Sequence, residues 1–354
     1  MTILITGGAG FIGSSVALLL KKSYPNYQIY CLDNLKRRGS ELNIARLKTA
    51  DIHFVHGDIR NKEDFEGLPA LDFIIECSAE PSVLAGIDGA LPDYLINTNL
   101  NGTINCLNVA VKHKAAFLFL STSRVYPIEP LAAITMLETE TRFDIADAQT
   151  LPGISPKGIA ETFPIDGYRS LYGASKLASE LFIHEYQQYY GLKTIINRCG
   201  VVTGAWQMGK IDQGVAVLWA ARHFWKQPLS YIGFGGTGKQ VRDMLHIHDL
   251  YRLLDYQLHH IDHLNGQLFN VGGGAAVSVS LQEMTTICQQ LSKNNIPIQA
   301  VAENRPADLK TYITDNTKIT AATGWKPEKN IEAIFTDIFD WIRENETSLA
   351  PILR

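Results

Sequence analysis

Short apolar runs alternate with amphipathic stretches along the first third of the chain. The β-rich run at 2–6 is followed by a glycine turn and then by FIGSSVALLLKKSY, whose apolar residues recur at helical spacing. Further strand-like runs lie at 27–34, 52–60, 71–83 and 115–126, and a helical pattern lies at 97–113. Strands that alternate with helices predict an α/β fold with a doubly wound parallel sheet, whose ligands bind at the carboxyl ends of the strands.

The regular alternation ends after residue 200. The segments 204–227 and 275–354 have the patterns of helices mixed with short strands. We therefore expect a Rossmann-type dinucleotide-binding domain and a smaller, interleaved α/β substrate-binding domain. The predicted boundaries are 1–200 with 238–272 for the first domain and 201–237 with 273–354 for the second.

Glycines at every third position, Gly7, Gly10 and Gly13, stand in TGGAGFIG at 6–13, between the first strand and the first helix. In that position Gly7 would allow a tight turn, Gly10 would let the backbone approach a pyrophosphate, and Gly13 would let the helix pack closely on the strand. The helix N-terminus would add free N–H groups and the positive end of its dipole. The spacing is GxxGxxG rather than GxGxxG, and the alternative is an ordinary β–α turn.

An acidic residue, Asp33, ends the second predicted strand, 20 residues after Gly13. A carboxylate there can accept hydrogen bonds from both ribose hydroxyls of adenosine, and it repels a 2′-phosphate, which favours NAD over NADP. The basic run KRR at 36–38 is the opposing signal, because it could bind that phosphate. Asp58, near the end of the third predicted strand, is the candidate that closes the adenine pocket.

Candidate catalytic groups lie at the end of the fifth predicted strand and at the start of a later helix. Thr122 belongs to STSRVY, and Tyr172 and Lys176 belong to YGASK at 172–176. A Tyr and a Lys four residues apart share one helix face, where the lysine charge favours the phenolate. Tyr172 could then act as a base at neutral pH while Thr122 holds the reacting oxygen. A surface Tyr and Lys is the alternative.

Composition excludes several other functions. The chain of 354 residues has a net charge of −4, which argues against a nucleic-acid partner. Its five cysteines are scattered singly, and no apolar stretch has the length of a membrane span, so we expect a reduced, cytoplasmic protein without a signal peptide. Histidines cluster at His246 with His248, in a strand-like stretch, and in HHIDH at 259–263, in a predicted polar loop, and we expect no metal site at either.

Over nearly its whole length the chain resembles the extended short-chain dehydrogenase/reductases that act on nucleotide sugars. The matching segments are TGGAGFIG (6–13), DNL (33–35), HGDIRN (56–61), NTNLNGT (97–103), STSRVY (121–126), YGASK (172–176), RCGVVTG (198–204), NVGGG (270–274) and RPADLKTYITD (305–315). It is most similar to the CDP-paratose 2-epimerase (CDP-tyvelose epimerase) branch. That similarity is carried by DNLKRRG (33–39), ETETRF (138–143), DQG (212–214) and GKQVRDMLHIHD (238–249).

The resemblance implies an NAD-dependent epimerase of a nucleotide-diphosphate sugar, active in lipopolysaccharide biosynthesis, with Thr122, Tyr172 and Lys176 as catalytic residues. The implied cofactor-binding residues are Gly7, Gly10, Phe11, Ile12, Gly13, Asp33, Asn34, Asp58, Ile59, Ser78, Asn97, Tyr172 and Lys176. The implied substrate-binding residues are Thr122, Ser123, Arg124, Gln207, Gln213, Arg242, Arg305 and Asp308. Among these, arginine forks match phosphate oxygens, so Arg242 and Arg305 are the candidates for the pyrophosphate, and Asp308 is the candidate for the nucleotide ribose.

The chain departs from the family pattern at two places. The family's 4,6-dehydratases need an Asp-Glu pair after the strand-five threonine, where this chain has Ser123 and Arg124. This argues for an epimerase or a reductase. Glu76 stands where many relatives have histidine, and the sequence offers no physical reason for it.

Three alternatives stay open at this point: a C4 epimerase, an NAD(P)H-dependent keto-sugar reductase, and a non-catalytic dinucleotide-binding protein. The resemblance also implies assembly. The stretches 101–113 and 174–189 carry apolar residues on more than one face, and related enzymes pair these helices across a two-fold axis. We therefore expect a homodimer; a substrate domain covering the second face is the alternative.

Overall fold

The structure is a computed structural model that describes residues 1–86, 91–209 and 213–354. Its internal contacts divide the chain into two compact units. The first unit contains Met1–Val125, Ser170–Arg198 and Leu250–Phe269, and the second contains Tyr126–Arg169, Cys199–Asp249 and Asn270–Arg354. The domain boundaries expected from the sequence stay a prediction. By contacts, residues 126–169 and 238–249 group with the second unit.

Strands and helices alternate along the described chain. The strands are β1 (Thr2–Thr6), β2 (Gln28–Asp33), β3 (His53–His56), β4 (Phe73–Glu76), β5 (Ala116–Thr122), β6 (Met136–Glu138), β7 (Phe143–Ile145), β8 (Ile154–Ser155), β9 (Gly158–Ile159), β10 (Thr194–Cys199), β11 (Val201–Thr203), β12 (Leu229–Ile232), β13 (Val241–His246), β14 (Gln267–Val271), β15 (Ser278–Ser280), β16 (Ile298–Val301) and β17 (Thr311–Tyr312). The α-helices are α1 (Phe11–Ser23), α2 (Leu42–Thr49), α3 (Asp93–Ile96), α4 (Thr103–His113), α5 (Ile128–Ala132), α6 (Leu171–Tyr190), α7 (Val215–Phe224), α8 (Ile247–His259), α9 (Ile261–Leu264), α10 (Leu281–Ser292), α11 (Thr317–Thr323), α12 (Ile331–Glu344) and α13 (Glu346–Leu353). A π-helical stretch, Asn97–Gly102, joins α3 to α4.

A seven-stranded sheet forms the centre of the first unit, in the order β14-β10-β5-β4-β1-β2-β3. The neighbouring strands from β5 to β3 are parallel. The order reverses beside β1, since β2 lies on one side of it and β4 on the other, which is the doubly wound arrangement that the sequence predicts. The fold-class prediction is confirmed.

The core of this unit explains why the sequence of β5 shows no alternation of polar and apolar residues. β5 is buried over its full length, and Phe117 and Phe119 pack with Cys106 and Leu107 of α4 in one cluster. A parallel sheet covered by helices buries both faces of each strand, so no polar alternation is visible in the sequence. Burial of this kind holds the carboxyl ends of β1, β4 and β5 in fixed positions.

The second unit is built from smaller sheets. β11, β13 and β15 form one sheet, and β17 pairs with β13 beside it. β12 pairs with β16, while two short hairpins join β6 to β7 and β8 to β9. Helices α7, α10 and α12 pack against one another. Nowhere in the described residues is there a helix with the length and apolar character needed to cross a membrane.

Several predicted elements differ from the observed ones. The strand expected at 115–126 ends at Thr122, and a 3-10 helix, Ser123–Val125, follows it. β3 and β4 end at His56 and Glu76, earlier than expected, so Asp58 lies beyond its strand. The backbone N–H of Asp58 donates to Asp64 Oδ2 at 2.7 Å. The helix expected at 97–113 begins with a π-helical stretch, which the spacing of apolar residues does not indicate.

Candidate active site

The glycine turn between β1 and α1 has no room for side chains. Gly7 has φ +63°, and a Cβ there would lie 2.9 Å from the backbone nitrogen of Ser78. A Cβ on Gly13 would overlap the carbonyl oxygen of Gly7, so Gly13 packs on the turn itself rather than on a strand, which corrects the role expected for it. The close approach to a strand belongs to Gly8, which abuts Cys31 of β2.

The N-terminus of α1 is suited to bind an anion. Gly10 is its N-cap residue and provides no side-chain hydrogen bond to the first turn. The first-turn amides, including those of Phe11 and Ile12, therefore have no side-chain cap from the N-cap position. Unbonded amides and the positive end of the helix dipole attract a phosphate. The turn and the helix start thus fit the pyrophosphate of a dinucleotide.

Asp33 ends β2 and is bonded to the glycine turn. Its Oδ2 accepts the backbone N–H of Ala9 at 3.1 Å, and its Oδ1 accepts that of Leu35 at 2.8 Å. Burial raises the pKa of Asp33, while these backbone hydrogen bonds act in the opposite direction. A carboxylate has about four acceptor positions, so the remaining ones are available to ribose hydroxyls.

Asp58 and Asn34 form a second polar group beside the ends of β2 and β3. The Arg60 guanidinium donates to both carboxylate oxygens of Asp58, at 2.9 and 2.7 Å, and Asn34 Nδ2 donates to Oδ2 at 2.8 Å. Burial works to raise the pKa of Asp58, but these hydrogen bonds outweigh it and lower the pKa to about 2. Ile59 lies in the apolar core, and its carbonyl accepts a hydrogen bond from Asn105 at 2.9 Å.

The loop after β4 and the π-helical stretch supply the remaining cofactor candidates. Ser78 lies against Gly7, so it adjoins the glycine turn. Asn97 is exposed, and its Oδ1 accepts a hydrogen bond from Asn101 at 2.8 Å. The buried asparagine is Asn99, which donates to Ser175 Oγ on α6 at 3.2 Å. The sequence motif NTNLNGT contains both, and only the π-helical geometry distinguishes them.

The three catalytic candidates all belong to the first unit. Thr122 is the buried last residue of β5, and its Oγ1 accepts the backbone N–H of Arg124 at 3.2 Å. Tyr172 is half-buried in the first turn of α6, and Lys176 follows one turn later with 1% exposure. The Lys176 ammonium lies 3.8 Å from the ring centre of Phe119 on β5. Helix α6 therefore packs beside the strand that ends at Thr122.

Two of the four charged substrate candidates bind each other in the second unit. Arg242 of β13 donates to Asp308 Oδ1 at 3.0 Å and to the carbonyl of Val241 at 2.7 Å. Burial lowers the pKa of Arg242, and the Asp308 carboxylate counteracts this effect. Arg305, half-buried, begins the turn that leads to Asp308. Arg124, the fourth charged candidate, is half-buried after β5 beside the half-buried Ser123 of the first unit.

The two glutamine candidates differ in how well they can reach a ligand. The Gln207 side chain bonds at both ends within its own unit: Oε1 accepts from Thr203 Oγ1 at 2.8 Å, and Nε2 donates to the carbonyl of Val202 at 3.0 Å. These bonds give Gln207 a structural role at β11, which the sequence did not indicate. Gln213 is half-buried. Residues 210–212, which precede it and include the first residue of DQG, lie outside the described residues.

Within residues 1–86, 91–209 and 213–354, no group of three or more His, Cys, Asp or Glu side chains is placed to hold a metal ion. The histidine pair singled out in the sequence has hydrogen-bonding roles. His246 Nε2 lies 3.2 Å from Asp337 Oδ2, and His246 Nδ1 accepts the backbone N–H of His248 at 3.2 Å.

Comparison with known proteins identifies relatives over almost the whole chain. The model of the NAD dependent epimerase/dehydratase family matches residues 3–272. The CDP-paratose 2-epimerase of Salmonella typhi is 30% identical over 358 residues, covering 96% of this chain and 99% of that protein. A UDP-glucose 4-epimerase of Halalkalibacterium halodurans is 26% identical, covering 98% of this chain and 96% of its own length.

Solved structures are also similar. The crystal structure of dTDP-glucose 4,6-dehydratase from Bacillus anthracis in complex with NAD has a TM-score of 0.76 and 25% identity, with 99% of each chain covered. The relatives thus include epimerases and a dehydratase. The matching family is NAD dependent, and the dehydratase structure contains NAD. The residues of this chain must distinguish between these reactions.

Proposed function

The chain belongs to the NAD dependent epimerase/dehydratase family, and we propose that it epimerises a nucleotide-diphosphate sugar. The proposed substrate is a CDP-linked deoxyhexose, and the carbon that is inverted is C2. NAD is the cofactor, and nucleotide sugars are the substrates of the family. The observation that carries epimerisation is the pair Ser123 and Arg124 after Thr122. Neither side chain is a carboxylic acid, so neither can supply the proton that elimination of a C6 hydroxyl requires.

The glycine turn, the start of α1 and Asp33 have the geometry expected of an NAD site. Gly7 and Gly13 form a turn that any Cβ would fill, α1 begins without a side-chain cap, and Asp33 lies beside the turn. The turn and helix would hold the pyrophosphate, and Asp33 would bind the adenosine ribose. The chemistry that bound NAD supplies is reversible hydride acceptance, so epimerisation has no net redox change.

Proton transfer is the task of the catalytic candidates. Tyr172, as the phenolate, takes the proton of the sugar hydroxyl at the reacting carbon and later returns it to the same oxygen. The ammonium of Lys176, one helical turn away, favours the phenolate. The Thr122 hydroxyl donates to the reacting oxygen and holds it in place. The transient ketone turns in the site before the carbon is reduced on its other face.

The nucleotide end of the substrate is assigned to the second unit. Arg242 and Arg305 would bind the diphosphate, and Asp308 would bind the nucleotide ribose. In the free protein the Arg242 guanidinium is bonded to Asp308, so a diphosphate would compete with that carboxylate. Gln213 would contact the sugar; Gln207 could do so only by giving up its bonds at β11. The similarity to the CDP-paratose 2-epimerase of Salmonella typhi supports CDP as the nucleotide.

Two other reactions would use the same residues: C4 epimerisation, as named for the Halalkalibacterium halodurans relative, and NAD(P)H-dependent reduction of a keto sugar. A non-catalytic dinucleotide-binding protein would have no use for Tyr172, Lys176 and Thr122 together. If the purified protein retains NAD and the absorbance at 340 nm does not change during turnover, epimerisation at C2 or C4 is favoured over reduction.

The test is direct. We expect NMR of purified enzyme with CDP-paratose to show conversion to the C2 epimer, with no added reductant. CDP should raise the melting temperature more than UDP or dTDP, because a specific ligand stabilises by mass action. Conversion of UDP-glucose to UDP-galactose, with CDP-paratose untouched, would contradict the C2 assignment and establish the C4 reaction.

Asp33 should control the choice between NAD and NADP. We expect Asp33→Ala to weaken NAD binding about tenfold or more, since hydrogen bonds to a charged group contribute about 1.5–3 kcal/mol each. NADP binding should weaken less, because the repulsion of its 2′-phosphate is also removed. Titration of both dinucleotides by intrinsic fluorescence measures the ratio.

A matched control separates Asp33 from the basic run. Lys36 is the first residue of the basic run at 36–38, and its ammonium lies 3.0 Å from the ring centre of Tyr94. Lys36→Ala tests whether this run binds the 2′-phosphate. This variant should leave NAD binding unchanged. Wild-type protein that prefers NADP, and loses that preference in Lys36→Ala, would contradict the role of Asp33.

We further propose a homodimer through α4 and α6. Leu181 and Phe182 of α6 are 61% and 41% exposed, and Tyr189 and Tyr190 extend this apolar surface. Of the residues on these helices, Leu107 is fully buried in its own core and cannot belong to the interface. An apolar helix face of this kind suits a two-fold contact, in which one surface pairs with itself.

Light scattering at micromolar concentration measures the assembly. We expect Leu181→Arg to convert the dimer to a monomer, because a guanidinium would be buried against its symmetry mate. Leu137→Arg is the matched control, since Leu137 is 57% exposed and lies in the second unit. A monomeric wild type, or a dimer that survives Leu181→Arg, would rule out this interface.

A further inference from the structure

A buried carboxyl group lies at the carboxyl end of β4, where the mechanism above does not use it. Glu76 has no solvent exposure. Its Oε1 accepts a hydrogen bond from the Thr103 hydroxyl of α4 at 2.7 Å. Its Oε2 has no hydrogen-bond partner among the described residues. A carboxylate in such a place is costly unless a positive charge is near.

The hydroxyl of Thr103 can accommodate both protonation states of Glu76. Thr103 Oγ1 lies 2.7 Å from Glu76 Oε1 and 2.9 Å from the carbonyl oxygen of Asn99. When Glu76 is ionised, the hydroxyl donates to the carboxylate. When Glu76 is protonated, the carboxyl O–H can donate to Thr103, which then donates to Asn99. Neither state leaves this hydroxyl without a partner.

Two titratable groups interact with Glu76, one on α4, which packs on β4, and one on α6, which packs on α4 and β5. One is the thiol of Cys106 on α4, and the other is the ammonium of Lys176 on α6. Burial, and then the charge of Glu76, raise the pKa of Cys106 well above its usual value, so the thiol stays neutral. The strands on either side of β4 present Thr6 and Phe119 in register with Glu76, and both are uncharged.

Lys176 is the group that Glu76 can influence. Its side chain is 1% exposed, and its ammonium lies over the ring of Phe119, the β5 residue in register with Glu76. A desolvated ammonium tends to lose its proton unless a counter-charge holds it. We propose that Glu76 is a positioning residue whose carboxylate holds the buried ammonium of Lys176 in its charged form. The proposal rests on the catalytic roles proposed for Lys176 and Tyr172.

The balance of forces on Glu76 supports this assignment. Burial raises the pKa of Glu76 to about 7, while the charge of Lys176 and the Thr103 hydrogen bond act against the rise. The carboxyl therefore ionises near neutral pH. Above that pH the pair is oppositely charged, which is where the Tyr172 phenolate needs a cationic neighbour. Glu76 thus extends the activity of Tyr172 to alkaline pH.

The first test compares pH profiles of kcat/KM in wild type, Glu76→Gln and Glu76→Asp. Glu76→Gln keeps the size of the side chain but removes its charge. We expect its alkaline loss of activity to begin at least about one pH unit lower, which is about a tenfold lower kcat/KM at pH 9 relative to pH 7. Glu76→Asp, which keeps a carboxylate, should restore most of the profile.

Exposed Glu63 of the same unit provides the control variant, Glu63→Gln, whose profile should superimpose on that of the wild type. A merely structural role for Glu76 would scale the rate at every pH without moving the profile. A Glu76→Gln profile that superimposes on the wild-type profile after scaling therefore overturns the proposal.

The second test needs no turnover: melting temperature against pH in saturating NAD. A carboxyl whose folded pKa is raised contributes stability below its unfolded value of 4.5, and that contribution is lost as pH rises through about 7. Relative to Glu76→Gln, the wild type should lose melting temperature between these limits. In a Lys176→Met background the loss should continue to a pH at least about one unit higher, because the ammonium no longer favours the carboxylate.

The two tests separate this proposal from the proposed function. If no nucleotide sugar is epimerised but the Lys176→Met background shifts the melting series, the function fails and the Glu76–Lys176 coupling stands. If epimerisation is found but the melting series is unchanged in the Lys176→Met background, the coupling is overturned and the function stands.

Discussion

Replacing Tyr172 by phenylalanine should lower turnover about a hundredfold or more while leaving NAD bound. The substitution removes one hydroxyl from a half-buried ring in the first turn of α6. Loss of a general acid–base group typically costs a factor of about 10²–10⁴. Helix α6 keeps its N-cap, since Ser170 Oγ accepts the backbone N–H of Gly173 at 3.2 Å and does not involve the phenol.

The rate is measured in single-turnover and steady-state experiments with the nucleotide sugar that the wild type epimerises. Bound NAD is quantified after denaturation of the protein. Tyr189→Phe is the matched control, because Tyr189 lies on the same helix with 80% of its side chain exposed. That variant should keep wild-type turnover. An active Tyr172→Phe enzyme would place the catalytic base on another residue.

The first unit could be predicted in detail because its geometry is local. A glycine turn, a helix start and an acidic strand end are each determined by a few adjacent residues. β1 spans the predicted residues, β2 ends at Asp33, and Asp33 bonds to the backbone of the glycine turn. Here sequence spacing and spatial proximity coincide, because parallel neighbours bring strand ends to one edge of the sheet.

Long-range contacts limited the prediction elsewhere. Asn97 and Asn99 stand in the same motif, but a π-helical stretch turns Asn99 inward and leaves Asn97 exposed. The sequence does not indicate that the amide of Gln207 bonds to β11. Such choices depend on which partner each polar group finds after folding, and neither residue type nor spacing specifies that partner.

Glu76 is the instructive case. In the sequence it is only a departure from a familial histidine, without a reason. Its surroundings come from three distant segments: Thr103 of α4, Lys176 of α6 and Phe119 of β5. The sheet register and the packing of two helices are needed before the carboxyl can be related to Lys176.

A buried charge pair joins α6 to β10. Arg198 of β10 donates to Glu180 of α6 through Nη2 at 2.7 Å and through Nε at 3.1 Å, and their side chains are 8% and 2% exposed. The same carboxylate accepts a hydrogen bond from the hydroxyl of Ser121, the neighbour of Thr122. Glu180 lies one turn after Lys176, so its carboxylate joins α6 to β10 through Arg198 and to β5, the strand that carries Thr122, through Ser121.

Breaking the pair should destabilise the protein strongly. We expect Arg198→Met to lower the free energy of unfolding by about 3–5 kcal/mol, because it leaves the Glu180 carboxylate buried without its partner. The double variant Arg198→Met/Glu180→Leu should recover most of the loss, since a pair of apolar side chains replaces both charges. Urea denaturation followed by circular dichroism compares the midpoints.

The exposed pair Lys193–Asp262 is the control, with side chains 51% and 73% exposed. Asp262→Asn should leave the midpoint unchanged, since solvent screens such pairs. Arg198→Met with a wild-type midpoint would show that the buried pair is not needed for stability. Activity of the double variant then separates two roles: if its stability returns but turnover does not, the charges also hold Tyr172 and Lys176 in register with Thr122.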